Sequence, residues 1–104
     1  MQLEECNVKA LIDVIAGKWK PLILRELKAD PRRFGELRRA IPGVRHKVLT
    51  EQLRELEAEG IVSRTVQAGS VLHTEYQLTE YGGTLKPILQ QMADWGLRHR
   101  QRKE

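Results

Sequence analysis

Pro42-Gly43 interrupts a run of apolar residues with helical spacing, and this restricts the segment to a helix, a sharp turn and a second helix. Proline cannot continue the first helix, and glycine permits the reversal. Before the break, Phe34, Leu37 and Ile41 fall at i, i+3 and i+7, which buries one face. After it, Leu49, Leu53, Leu56 and Gly60 recur at i, i+4, i+7 and i+11, with Val48 beside them. Lys47, Thr50, Glu51, Arg54 and Ala58 share the opposite face of this second helix and stay polar for the most part. Two helices joined by a few turn residues, the second with a free polar face, outline a helix-turn-helix over about residues 34–59.

Charge indicates what the free face is for. Between Arg32 and Lys47 there are six basic residues (Arg32, Arg33, Arg38, Arg39, Arg45, Lys47) and one acid, Glu36. That segment is net +5, whereas the whole chain of 104 residues is only +4. Beyond Thr50 the helix turns acidic at Glu51, Glu55, Glu57 and Glu59, so only its leading end suits a polyanion. These are the parts that touch phosphates and base edges when a recognition helix enters a major groove. A charge run more commonly just solvates a helix face. Its coincidence with the helix-turn-helix outline favours the nucleic-acid reading.

On the N-terminal side, Val8, Leu11, Ile12 and Ile15 form a helical stripe with Asn7 as the expected N-cap, and Gly17-Lys18 ends it. Trp19 to Lys28 reads as a second helix with Pro21 in its first turn, Leu22, Ile23 and Leu27 facing inward. Past Gly60 the period changes to two, and Ile61–Gln67 and Val71–Leu78 predict strands joined at Ala68-Gly69-Ser70. A hairpin directly after a recognition helix makes a winged helix, with the wing over about 61–78. A last helix over about 79–99 is expected, capped by Thr79 and kinked by Pro87. Tyr81, Leu85, Ile88, Met92 and Trp95 follow the near-3.5 period of a helix–helix seam, with Leu89 and Leu97 widening the stripe. Val8, Leu11, Ile12, Leu85, Ile88, Leu89, Met92 and Trp95 are the expected dimer interface, with packing on the chain's own domain the alternative. The fold class is α+β, mainly α: one winged helix-turn-helix domain with additional N- and C-terminal dimerisation helices. The basic tail from Arg98 onward is expected to fray.

A single cysteine excludes an intrachain disulfide and agrees with a reducing compartment. Acids near the N-terminus, at Glu4 and Glu5, stand where a signal peptide carries basic residues, and no apolar run suggests a membrane span. A cytoplasmic protein is expected, and its pI of about 9.5 suits an anionic partner.

In order and spacing, several pieces resemble the HxlR-type winged-helix transcriptional regulators, relatives of the MarR group. They are Cys6, Gly17-Lys18-Trp19, Arg32-Arg33-Phe34 with Glu36-Leu37, and Ile41-Pro42-Gly43-Val44. Lys47-Val48-Leu49-Thr50, Leu53-Arg54-Glu55-Leu56, Gly60, Glu75-Tyr76, Leu78-Thr79, Gly82 and Trp95 complete the set. The resemblance runs from Cys6 to Gly96. It implies a homodimer with helices from both chain ends interlocked, each subunit placing a recognition helix in successive major grooves of a palindromic operator. Three departures stand out. Arg45 replaces the usual serine that opens the recognition helix, and His46 replaces a common proline. Val71-Leu72-His73 replaces the Pro-Pro-Arg of the wing, which weakens the expectation of a minor-groove contact there. Arg45 places a cation at the positive end of a helix, unfavourable unless a phosphate sits nearby.

The expected contacts to double-stranded DNA are Arg45, His46, Lys47, Thr50, Glu51 and Arg54 from the recognition helix. Lys18, Arg32, Arg33 and, from the wing, His73 are expected outside it. Glu51 can accept from cytosine or orient Arg54 or Arg45. Cys6 has two readings: a small buried hydrophobe, or a thiol at a helix N-terminus, where the dipole favours the thiolate. Glu4 and Glu5 oppose that effect and Lys9 offsets it in part. The resemblance implies the second reading, a sensor of quinones, aldehydes or oxidants. Catalysis is not indicated. His46, His73 and His99 share no helix face, and no metal-ligand spacing, cofactor motif or Gly-rich phosphate loop is present. The alternative to an operator-binding regulator is a winged-helix module that binds protein or RNA.

Overall fold

The computed structural model describes residues 6–69 and 73–103. In chain order it runs α1 (Asn7–Ile15), α2 (Lys20–Leu27), β1 (Arg32–Arg33), α3 (Phe34–Ala40), α4 (His46–Ala58), β2 (Val62–Gln67), β3 (His73–Leu78), α5 (Glu80–Gly83) and α6 (Lys86–Arg102). The helix-turn-helix is α3 and α4, and the wing is the β2–β3 hairpin. The wing residues Val71 and Leu72, noted as a departure, lie outside the described residues.

Apolar faces with helical period meet in one core. Ile23, Leu24 and Leu27 of α2, Leu37 of α3, and Leu49, Leu53 and Leu56 of α4 are buried together with Ile41, Ile61, Val62 and Tyr76. Each such side chain contributes about 1.5–3 kcal/mol by leaving water. The recognition helix ends in a Schellman closure. Gly60, at φ 74°, takes the left-handed conformation that glycine adopts without strain. The Gly60 N–H then donates to the Glu57 carbonyl at 2.9 Å, and the Ile61 N–H to the Leu56 carbonyl at 3.0 Å.

Three strands form an antiparallel sheet in the order β1-β3-β2. Val62 pairs with Leu78 and Gln67 with His73 at the two ends of the hairpin, while Arg32 pairs with Tyr76. The short strand β1 was not expected from the sequence. It seats Arg32 and Arg33 at the sheet edge, beside the start of α3.

Several expectations change at the chain ends. Cys6, not Asn7, holds the cap position of α1, and no side chain caps that helix. Pro87 does not kink one long helix but lies in the first turn of a separate one, α6. The chain breaks at Thr84 and Leu85, whose N–H groups donate to Tyr81 and Gly82 carbonyls three residues back, both at 3.0 Å. A proline in the first helical turn forfeits no hydrogen bond, so starting a new helix costs less than bending one. The tail is part of α6, which is helical through Arg102. Thr79 does cap α5, its hydroxyl accepting from the Gly82 N–H at 2.8 Å.

Candidate nucleic-acid interface

The leading end of α4 is built to meet an anion. Arg45 holds its cap position with extended backbone and no side-chain cap bond, and the first turn contains no acid. The first N–H groups of the helix therefore lack intrahelical partners and add their partial positive charge to that of Arg45 and Lys47. Arg45, His46, Lys47, Glu51 and Arg54 are all exposed. Thr50 is half-buried and donates its hydroxyl proton to the His46 carbonyl at 2.9 Å, so its methyl group and lone pairs are what it can offer a base or phosphate. Glu51 takes part in none of the ion pairs among the described residues, so it does not orient Arg54 or Arg45 in this structure.

Aromatic rings fix the approach. The His46 ring lies 4.7 Å from Phe34 at the start of α3, and Phe34 lies 6.4 Å from Tyr76 on β3. Beside this row runs a groove of about 640 Å³ whose lining includes Arg33, Arg39, His46, Thr50, His73 and Tyr76. A second groove, about 420 Å³, is lined by Thr50, Arg54, Glu57, Ala58, Arg64 and Tyr76. Thr50 and Tyr76 belong to both, which makes them one furrow along the recognition helix. Arg39, Arg64 and Tyr76 are not among the individual contacts expected from the sequence. Arg39 lies within the basic run, whereas Arg64 reaches the furrow only because of the hairpin register.

Two acids that line the furrow, Glu36 and Glu57, are engaged. Glu36 accepts the Arg33 backbone N–H at 2.8 Å. That bond, ahead of the charges of Arg32, Arg33 and Arg39, holds its carboxyl below the usual range, against a smaller desolvation effect. Glu57 lies 3.6 Å from Arg64. Burial, and then the Glu57 carboxylate, push the Tyr76 phenol above its ordinary range, while Arg64 and Arg54 act in the opposite sense.

The outlying residues differ in readiness. Arg33 is exposed and Arg32 half-buried. The Lys18 ammonium sits 4.6 Å over the Trp19 ring, a cation–π placement that leaves the residue exposed. His73 is not free like an arginine: its Nε2 lies 2.6 Å from Gln67 Oε1, and Gln67 donates in turn to Glu75 at 3.2 Å.

Away from this face, Val8, Ile12, Tyr81, Ile88, Met92, Trp95 and Leu97 leave apolar surface in water, Trp95 with 60% of its area exposed. Trp95 stacks on His99 at 5.0 Å. Leu85, assigned from the sequence to the interface, is instead buried in the core, and Leu11 and Leu89 pack against that core. Cys6 is a free, half-buried thiol at the start of α1. Among the described residues no cluster of His, Cys, Asp or Glu could hold a metal ion, and no helix is long and apolar enough to cross a membrane.

Residues 14–104 match the family described as HxlR-like helix-turn-helix. The chain belongs to that family. It is 47% identical over 93 residues to YybR of Bacillus subtilis, an HTH-type transcriptional regulator, covering 89% of this chain and 74% of that protein. The structure superposes on the reduced form of the redox regulator HypR with a TM-score of 0.87 at 45% identity, covering 91% of this chain and 94% of the other. The reduced form of YodB from B. subtilis, also a transcriptional regulator, gives a TM-score of 0.77 at 34% identity, with 86% and 89% covered. HypR is also known in an oxidised form and YodB after diamide treatment. This HxlR-like chain is thus a DNA-binding transcriptional regulator with a winged helix-turn-helix fold, not an enzyme.

Proposed function

We propose that two copies of this chain pair through α1 and α6 and set their recognition helices in successive major grooves of a palindromic operator. The basic leading end of α4, uncapped and exposed, is the observation that carries this reading. Arg45, His46, Lys47, Thr50, Glu51 and Arg54 then face base edges and nearby phosphates. Arg32, Arg33, Lys18 and His73 hold the flanking backbone. The apolar residues that α1 and α6 leave in water supply the pairing surface.

Cys6 makes the binding responsive to oxidants or electrophiles. This part rests on the redox forms of HypR and YodB and on the thiol's partial exposure at the start of α1, beside the pairing surface. With one cysteine per chain, oxidation yields a sulfenic acid, a mixed disulfide with a small thiol, or a bridge between the Cys6 residues of the two copies. Any of these adds bulk or polarity beside α1, which shifts the pairing and weakens operator binding.

The test is a gel shift on DNA from upstream of the protein's own gene and its neighbour, titrated with salt. If the pair neutralises about six to ten phosphates, affinity falls roughly 10³–10⁵-fold between 50 and 200 mM salt. A flat salt response would mean a protein partner instead. Diamide or a quinone weakens binding by the native protein but not by Cys6→Ser. Equal loss in both, or none in the native protein, removes the sensor role.

A further inference from the structure

Lys20 is the one buried charged residue among those described, with 9% of its surface exposed. Its ammonium donates to Glu55 Oε1 at 2.7 Å, joining the first residue of α2 to the recognition helix across 35 positions. Glu55 follows Arg54 directly and lies on the flank between the reading face and the core face. Stability does not explain the pair. Attraction between a buried ammonium and a half-exposed carboxylate does little more than offset the loss of hydration, and apolar replacements for such pairs are often as stable.

What the pair supplies is direction. Leu49, Leu53 and Leu56 hold α4 against the core, but apolar contact is non-directional and tolerates small rotations about the helix axis. Reading atoms stand about 5–6 Å from that axis, so a rotation of about 10° moves them by about 1 Å. A base contact made at about 2.9 Å does not survive that displacement. Lys28, which caps the C-terminal end of α2, donates to Gln90 of α6, so α2 bridges the recognition helix and the pairing surface.

We propose that Lys20 is a positioning residue for operator reading: through Glu55 it fixes the rotation of α4 relative to α2, and hence relative to the paired copy. The inference rests on the operator reading above. Its test uses Lys20→Met/Glu55→Leu, which leaves net charge unchanged, and Lys20→Met alone, which leaves only an exposed carboxylate. Each is compared with the native protein on a duplex that the native protein selects from a random pool, and on a shuffled duplex of the same length and composition. Melting and sedimentation are expected to match the native protein, and affinity for the shuffled duplex to stay within about twofold, since the phosphate contacts remain. Affinity for the selected duplex falls about tenfold or more, the worth of one bidentate base contact. If the double variant does not fold, Glu55→Gln, which keeps an acceptor but loses the charge, is expected to lower the preference by about threefold.

Preference for the selected duplex equal to that of the native protein, or parallel loss on both duplexes, overturns the positioning role. A native protein that enriches no sequence from the pool would instead overturn the operator reading itself, and this inference with it.

Discussion

Gly82→Ala tests how α5 is seated against the end of the recognition helix. An alanine Cβ at this position would lie 2.0 Å from the Ile61 carbonyl oxygen and 2.9 Å from its carbon. Ordinary contact begins near 3.5 Å, so one side must move by about 1 Å or more. Neither side is loose. The Ile61 carbonyl accepts the Thr79 N–H at 3.0 Å, and the Thr79 hydroxyl donates to the Gly60 carbonyl at 2.6 Å while capping the Gly82 N–H at 2.8 Å. Overpacking costs about 1–3 kcal/mol, and each hydrogen bond given up about 1 kcal/mol more. With one such bond lost, the roughly 1 kcal/mol gained by replacing a helical glycine leaves a net loss of about 1–3 kcal/mol. For about 100 residues that lowers Tm by roughly 5–20 °C. Gly83→Ala is the control: nothing lies within 4 Å of its Cβ, so it is expected to gain about 0.5–1 kcal/mol. Both are read by circular-dichroism melts at one protein concentration, because pairing makes Tm depend on concentration. Gly82→Ala melting within about 4 °C of the native protein, or Gly83→Ala falling as far as Gly82→Ala, would refute the close approach.

Met92→Asp places a charge on the proposed pairing surface at a side chain already exposed in the single chain, so sedimentation is expected to show a folded monomer. Arg64→Ala is expected to weaken binding about equally on all sequences and to reduce the salt slope by about one for each phosphate it no longer neutralises, read by anisotropy across a salt series. The raised Tyr76 phenol gives an alkaline signature. Because its folded value exceeds the unfolded one, its contribution is full below about pH 10 and is lost as pH rises through the folded value. Denaturant titrations on the native protein should show that alkaline fall in stability, and Tyr76→Phe should reduce it.

The parts of the fold legible in the sequence were those with a repeating signal. The helical stripes on either side of Pro42-Gly43 fall in α3 and α4, and the change of period after Gly60 falls at the start of the wing. Thr79 was readable as a cap because a hydroxyl before a helix has one common use. A strand of two residues, Arg32–Arg33, has no period to read. Pro87 misled because the apolar spacing from Tyr81 to Trp95 continues across the break at Thr84 and Leu85. The cations at the end of α6 read as a loose tail, yet they complement the negative end of a helix dipole. Lys20 carries no signal of its own in the sequence, since its burial depends on where α4 brings Glu55. The bond between His73 and Gln67 depends likewise on their facing each other in the hairpin register.

The central claim is that two basic helix ends, one from each copy, read one face of a duplex. Hydroxyl-radical footprinting on the selected duplex measures this most directly. Two protected patches on the same face, centred about 34 Å or one helical turn apart, are predicted, and both should disappear with Arg45→Ala/Lys47→Ala. A single patch, or uniform protection that the double variant leaves intact, would contradict it.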